Sequence, residues 1–198
     1  MGDFSRLYNP SGVEYFIGPS ALSSWGQSGK GQFRDAQQVG CTWVEEYKQL
    51  PIDNDNTHAF LAYIRQLYRD KEPFTISYLH KLIPRNHPIT GSITVNGASQ
   101  TGSTINVTSG LDKILKAGDL ITFANINTVY EIIANMSAPT ASSIKISPPI
   151  YTGGSPANGA VITYSAVKFR CVIDTLQMPK NDGTKLYSGL VLRFREAP

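Results

Sequence analysis

The chain has 198 residues, of which 41% are hydrophobic and 17% charged, and its formal net charge is +3 at pH 7. This length suits one domain, or one domain with a smaller one inserted, and it is enough to bury a core. Charge is low, and the small polar residues that replace it favour strands and turns over exposed helices.

Lys and Arg are scattered along the chain, and the densest cluster, Lys81 to Arg85, is interrupted by Pro84. Nucleic-acid binding through phosphate neutralisation needs a denser patch, so this class of function is not expected. No apolar run approaches membrane-spanning length, and residues 1–12 lack an apolar core. The sequence therefore predicts a protein with neither a membrane helix nor a signal peptide.

The first fifty residues indicate strands and loops. Residues 13–17 predict a short strand that ends at Gly18-Pro19, and residues 26–31 predict a flexible glycine-rich loop. Residues 41–47 alternate between apolar and polar side chains, with Cys41, Trp43 and Tyr47 on one side. Such alternation is typical of a strand with one buried face.

An amphipathic helix is predicted over about residues 56–71. Its apolar residues are Phe60, Leu61, Ile64, Leu67 and Tyr68, at spacings that place one stripe against a sheet. We expect Asp55, Asn56 or Thr57 to cap it and Pro73 to end it. A strand over residues 74–78 then resumes the β-structure.

The two prolines of residues 80–90 predict a connection, and the composition changes after it. Residues 91–165 contain no Trp, Cys, His or Arg. Short predicted strands separated by turn signals are typical of a small closed barrel. These strands are residues 93–95, 104–107, 120–123, 129–133, 143–146 and 160–164.

Longer alternating strands return at residues 167–173 and 187–194, with an Asn-Asp-Gly-Thr turn at residues 181–184. Two strands seldom fold alone, so we expect them to pair with the N-terminal strands. Residues 1–90 and 166–198 would then form one host domain. Residues 91–165 would be a small β-barrel inserted into it.

The segment GASQTGST, residues 97–104, nearly matches the spacing of a phosphate-binding loop. Such a loop needs a lysine where Ser103 stands, followed by a helix whose N-terminus faces the anion. The residues that follow here are β-branched and alternating, which predicts a strand. We therefore interpret the glycines as allowing a tight turn.

Metal and cofactor sites are not predicted. His58, His80 and His87 lack zinc-ligand spacing, and no Cys-x-x-Cys or His-Glu-x-x-His motif occurs. Asp53 and Asp55 resemble part of a calcium loop, but the glycine and the final glutamate of that motif are missing.

Catalytic residues are not predicted either. Cys41 and Cys171 lie in alternating apolar contexts, which favours buried thiols over nucleophiles, although a disulfide between them stays open. Glu45 and Glu46 are adjacent on a strand, so their side chains point to opposite faces and cannot act as an acid–base pair. The chain is predicted not to be an enzyme.

The order of the segments is more informative than any single one of them. Short clauses follow one another from the N-terminal strands, through the helix, to the end of the predicted barrel. They are VGCTW (39–43), LP (50–51), AFLAYIR (59–65), Phe74, VNGASQTGS (95–103), LKAGDLITF (115–123), Val129-Tyr130, ISPPI (146–150) and GAVIT (159–163).

This series resembles the distal-tail or tail-tip proteins of tailed bacteriophages. In that family VNGA-QTG, LKAGD and a Pro-Pro-hydrophobic clause before DGAAVT come in the same order. The resemblance covers roughly residues 35–170, and Asn158 stands where Asp is expected.

The resemblance implies a mainly β structural protein, with a tail-tube-like β-sandwich, one flanking helix and an inserted small barrel. Such proteins form a ring, typically a homo-hexamer, that joins the tail tube to the tip or baseplate. The implied partners are other copies of the chain, the tail tube protein and the tail hub or tip proteins. DNA would only pass through the channel, and the protein would reside at the virion tail tip after assembly in the host cytoplasm.

Two alternatives stay open. A tube or terminator protein of the same fold would stack or cap differently. A carbohydrate- or receptor-binding module on a virion or cell surface would use the polar side chains of the barrel. Sugar sites usually offer stacking aromatic rings, and the barrel has Phe123, Tyr130, Tyr151 and Tyr164 for this.

Overall fold

The computed structural model describes residues 8, 10–25, 31–52, 54–77, 83–124, 126–151, 153–181, 183 and 185–197, and it describes the side chains of these except 14–25, 31–43 and 77. Within these ranges the fold is mainly β with one helix, as predicted. The helix α1 is Asp55–Asp70. The strands are β1 (Gly12–Trp25), β2 (Gly31–Tyr47), β3 (Leu50–Pro51), β4 (Phe74–Ser77), β5 (Ile93–Val95), β6 (Gly102–Ser109), β7 (Leu120–Phe123), β8 (Val129–Ile132), β9 (Ser143–Ile150), β10 (Ile162–Thr163), β11 (Lys168–Gln177), β12 (Lys180–Asn181), β13 (Leu186–Ser188) and β14 (Leu190–Glu196).

The chain divides into two compact units. The first comprises Met1–Phe16, Cys41–Ile76 and Arg170–Pro198, and the second comprises Ile17–Gly40 and Ser77–Phe169. The predicted insertion over residues 91–165 lies wholly within the second unit. Its proposed limits, and those of the host domain, stay predictions.

A five-stranded sheet has the order β1-β2-β14-β11-β4, so the C-terminal strands do pair with the N-terminal ones. Strand β14 lies antiparallel to β2, with Leu192 opposite Glu45 and Phe194 opposite Trp43. On its other side β14 pairs with β11, with Phe194 opposite Ile173. Alternate residues of β14 are buried, which gives the sheet one face toward a core and one toward solvent.

Helix α1 packs on the buried face of this sheet through Phe60, Leu61 and Ile64 of its predicted apolar stripe, whereas Tyr68, predicted to lie in the same stripe, is 37% exposed. Phe60 and Ile64 are fully buried, and the Phe60 ring meets the ring of Tyr47 at 5.7 Å between centroids. The N-cap is Asn54, whose side chain accepts a hydrogen bond from the Asn56 amide. The prediction of a cap at residues 55–57 was therefore wrong by one residue, because Asn54 has the extended backbone that a cap requires.

The second unit contains a six-stranded sheet of order β10-β7-β8-β9-β6-β5. Its two end strands approach each other, since Thr94 bridges Val161 and the Val95 amide donates to the Ala160 carbonyl at 2.9 Å. The sheet thereby nearly closes into a barrel around a single apolar cluster. The largest fully buried members of that cluster are Ile93, Ile105, Leu115, Ile121, Phe123 and Ile132.

Two strands run longer than predicted and continue through prolines: the strand expected to end at Gly18-Pro19, and the strand predicted over residues 143–146. Strand β1 runs past Gly18-Pro19, because an end strand has one side on which a missing amide hydrogen is tolerated. Strand β9 runs through Pro148-Pro149, which lie beyond Ser147, the last residue paired with β8. A small three-stranded sheet, β12-β13-β3, was not predicted at all.

Candidate functional sites

The segment that resembles a phosphate-binding loop is a turn held by the side chain of Gln100. Its amide nitrogen donates to the carbonyls of Asn96, Gly97 and Asn106 at 3.0–3.2 Å, and its oxygen accepts from the Asn106 amide at 2.6 Å. Strand β6 follows at once, as predicted. The glycines at both ends of the turn have positive φ angles, as a tight turn demands.

This turn is hydrogen-bonded to residues 158–159, which adjoin or belong to another of the segments that carry the resemblance. The bonds cross the barrel seam, which is the place where the end strands β5 and β10 approach each other. The side-chain oxygen of Asn158 accepts a hydrogen bond from the Gly97 amide at 2.8 Å. The Gly159 amide donates to the Val95 carbonyl at 2.8 Å. An aspartate at position 158 would supply the same acceptor, so Asn in place of the expected Asp preserves this contact. Residues 95–98 (VNGA) and 158–160 (NGA) therefore lie on the two sides of the seam where the barrel nearly closes.

The LKAGD clause forms a turn around a buried carboxylate. Asp119 is only 3% exposed, and its two oxygens each accept one backbone N–H, from Arg85 and from Lys116, at 2.8 Å. The Arg85 side chain donates to the Ala117 carbonyl at 2.8 Å. The Asp119 side chain thus joins the connection before the barrel to the turn before β7.

A pocket of about 330 Å³ lies beside this turn. Its walls combine apolar surface with one cation and one carboxylate. The lining residues are Ile83, Pro84, Arg85, Gly118, Asp119, Leu120 and Tyr164. Neither the pocket nor its polar residues were predicted, because Arg85, Asp119 and Tyr164 lie far apart in the chain.

Three arginines lie on the solvent face of the five-stranded sheet. Arg193 and Arg195 alternate along β14, and Arg170 lies on the neighbouring strand β11. Arg195 approaches the carboxylate of Asp174 at 3.9 Å, and both side chains are exposed. Stable DNA binding commonly uses about six to ten phosphate contacts, so this patch alone is too small. The period-two spacing of Arg193 and Arg195 is the signal in the sequence that places these two side chains on one face.

The metal and nucleophile candidates do not assemble in the part of the chain that the structure describes. That part holds no group of three or more His, Cys, Asp or Glu side chains able to bind a metal ion. His58 and His87 are exposed, whereas His80 and Asp53 lie outside the described residues. Cys171 is a buried thiol, as predicted, and its Sγ lies 3.7 Å from the Phe74 carbonyl oxygen. The Cys41 side chain lies outside the described part of the chain.

The adjacent glutamates point to opposite faces, as predicted. Glu45 is 1% exposed and accepts a hydrogen bond from the Tyr47 hydroxyl at 2.8 Å, while Glu46 is half-buried on the other face. The burial of Glu45 was not predicted, although the alternation of this strand places it on the same side as Trp43 and Tyr47.

One carboxylate supports the start of the barrel. Asp112 accepts a hydrogen bond from the Thr90 amide at 2.7 Å, and its own amide donates to the Thr90 carbonyl. The bond from the Thr90 amide holds the pKa of Asp112 below its ordinary value, because it stabilises the charged form.

The barrel aromatics do not form an exposed platform. Phe123 and Tyr130 are buried and contact each other edge to face, with ring centroids 5.2 Å apart. Tyr151 is 38% exposed, and the half-buried Tyr164 donates its hydroxyl proton to the Gly91 carbonyl at 2.9 Å. Stacking of a sugar chain along several barrel rings therefore has no support.

No protein-family model matches this chain, and no curated protein matches it at a significant level. Among the described residues, the single helix is too short and too polar to cross a membrane.

Proposed function

We propose that this chain is a structural protein of a bacteriophage tail that forms a ring at the distal end of the tail tube. The order of the sequence clauses supports the family. The structural observation that supports assembly is the open five-stranded sheet, which ends in β1 on one side and β4 on the other. Each of these strands has a neighbour on only one side among the described residues.

Two different sheet edges suit a head-to-tail interface. A strand edge carries unpaired backbone N–H and C=O groups, and a second chain that pairs with it removes this exposure. Contacts between unlike surfaces generate closed rings when the rotation between neighbours closes. In the proposed ring, β1 of one copy pairs with β4 of the next, and six copies complete the circle as in the resembling family.

The proposed position of the ring in the phage tail implies its protein partners. The ring would contact the tail tube protein on one side and the hub or tip proteins of the baseplate on the other. DNA would pass through its channel without being retained. The exposed Arg193 and Arg195 on the solvent face of the sheet offer charged groups for such protein contacts.

A pair of Thr→Lys substitutions tests the edge contact. Thr75 is half-buried in the end strand β4, and Thr108 is exposed on β6, which has neighbours on both sides within the barrel. A lysine in an end strand opposes strand addition. We expect T75K to weaken self-association by about tenfold or more, with T108K unchanged, as measured by light scattering. Equal association of the two variants would contradict the edge-pairing model.

A further inference from the structure

The barrel seam holds two Asn-Gly pairs, Asn96-Gly97 and Asn158-Gly159, and the sequence contains no other. Asparagine followed by glycine is the pair most prone to spontaneous deamidation, because glycine carries no side chain to shield its main-chain nitrogen. Asn96 and Asn158 are both exposed, so water reaches both pairs. The main-chain nitrogen of each glycine, however, donates a hydrogen bond across the seam.

Deamidation at Asn96 begins when the main-chain nitrogen of Gly97 loses its proton to water and attacks the side-chain carbonyl carbon of Asn96. A new C–N bond forms, and the side-chain nitrogen takes up a proton and leaves as ammonia. The product is a five-membered succinimide ring. Water then opens this ring at one of its two carbonyl carbons, which gives aspartate or isoaspartate. The net change is the hydrolysis of an amide, so the reaction needs only water.

The closed seam keeps the Gly97 nitrogen from this reaction. Its N–H donates to the side-chain oxygen of Asn158 at 2.8 Å, which holds the proton on the nitrogen. The Asn96 main chain is held as well, because its amide donates to the Asn106 carbonyl at 2.9 Å and its carbonyl accepts from Gln100 at 3.0 Å. Closure of the succinimide ring requires the Asn96 backbone to rotate, and these hydrogen bonds oppose that rotation.

We propose that Asn96 is a deamidation site that the Asn158 side chain protects, so that its modification records opening of the barrel seam. Asn158 is a positioning residue here, because it takes no part in the bonds that form or break. The second pair is held differently, through the Gly159 amide, which donates to the Val95 carbonyl at 2.8 Å. An isoaspartate at position 96 adds a methylene group to the main chain, which displaces Gly97 from Asn158. This site does not depend on the proposed ring.

Two substitutions at position 158 isolate the protecting contact. Asn158→Asp and Asn158→Ala both remove the second Asn-Gly pair, but only the aspartate retains an acceptor for the Gly97 amide. The full-length variants, shown to be folded by circular dichroism, are incubated at mildly alkaline pH, and peptide mass spectrometry follows the conversion of Asn96. We expect Asn158→Asp to react no faster than the wild type. Asn158→Ala should react about three- to tenfold faster, which corresponds to the loss of one hydrogen bond.

A measurement on the wild type keeps the test valid if Asn158→Ala folds poorly. Hydrogen exchange of the Gly97 amide and deamidation at Asn96 both require the same N–H bond to open. Both rates should therefore rise together as low concentrations of urea weaken the barrel, and both should stay below those of the fully unfolded chain. The proposal is overturned if the folded wild type deamidates at Asn96 as fast as the unfolded chain. It is also overturned if folded Asn158→Ala reacts no faster than Asn158→Asp.

Discussion

The barrel and the five-stranded sheet differ in whether their end strands lie beside another strand. In the barrel, β5 and β10 approach each other, and the bridge between Thr94 and Val161 nearly closes the seam. The five-stranded sheet ends in β1 and β4, with no further strand beside them among the described residues. An edge that stays open in the isolated chain is the surface that a neighbouring copy can complete.

The two regions also differ in how their turns are held. In the barrel, polar side chains hold the turns through hydrogen bonds to backbone groups. Gln100 does this within its own turn, Asn158 across the seam, and Asp119 to the connection before the barrel. The sheet relies on the packing of Phe60, Tyr47 and other apolar groups against its inner face. Replacing a single polar side chain should therefore destabilise the barrel more than the five-stranded sheet.

The largest expected effect is that of Gly91→Ala at the entrance of the barrel. Gly91 has a φ angle of +101°, and an added Cβ would lie 2.1 Å from the Gly110 carbonyl oxygen. We expect a loss of at least about 3 kcal/mol in the free energy of unfolding of the barrel, measured by chemical denaturation. Gly110→Ala is the control, since its Cβ would make an ordinary contact of 3.6 Å with Ser92. Similar losses in both variants would disprove this explanation.

Asp119→Ala should cost slightly less, about 2–4 kcal/mol, because it leaves the amides of Arg85 and Lys116 without their acceptor. Asp119→Asn retains one acceptor oxygen and should lie between the wild type and the alanine variant. Hydrogen exchange of the barrel amides measures the difference. A fully stable alanine variant would show that the buried carboxylate does not hold this turn.

Gln100→Ala should destabilise the barrel by about 1–2 kcal/mol, since the turn loses its side-chain bonds to Asn96, Gly97 and Asn106. Thr101→Ala, at the exposed neighbouring position, should be within about 0.5 kcal/mol of the wild type. Thermal unfolding of the two variants side by side checks this. Equal melting temperatures would contradict the role given to Gln100.

The smallest effect is a dependence on pH at Asp112. Its pKa is lowered in the folded chain by the Thr90 amide, so the charged form stabilises the fold. This contribution is present above the unfolded pKa of about 3.9 and is lost as the pH falls through the lower, folded pKa. The stability difference between the wild type and Asp112→Asn should therefore be constant near pH 7 and shrink below about pH 4. A difference that is the same at pH 7 and pH 2 would contradict it.

Patterns in the local sequence predicted those helices and strands that are determined by neighbouring residues. Helix α1 was found from its apolar spacing, and most barrel strands were found from alternation and turn residues. The extension of β1 past Pro19 depends on its position at the end of the sheet, which no local pattern shows. The pairing of β12, β13 and β3 depends on contacts between distant segments, and so does the three-arginine patch.

The candidate sites were harder to predict than the fold. The sequence identified GASQTGST as a turn, but not that Gln100 holds it. It did not bring Arg85, Asp119 and Tyr164 together, because their proximity arises only when the connection folds back beside β7. The predicted loop over residues 26–31 lies outside the described residues except for Gly31, which begins β2.

The central claim is that the open sheet assembles this chain into a closed ring. The most direct test is the mass of the purified chain in solution, by light scattering over a concentration series. The account predicts a discrete oligomer of six 21.7 kDa subunits, or a multiple of six, whose mass stops rising with concentration. A folded protein that stays monomeric at every concentration would contradict self-assembly through the sheet edges.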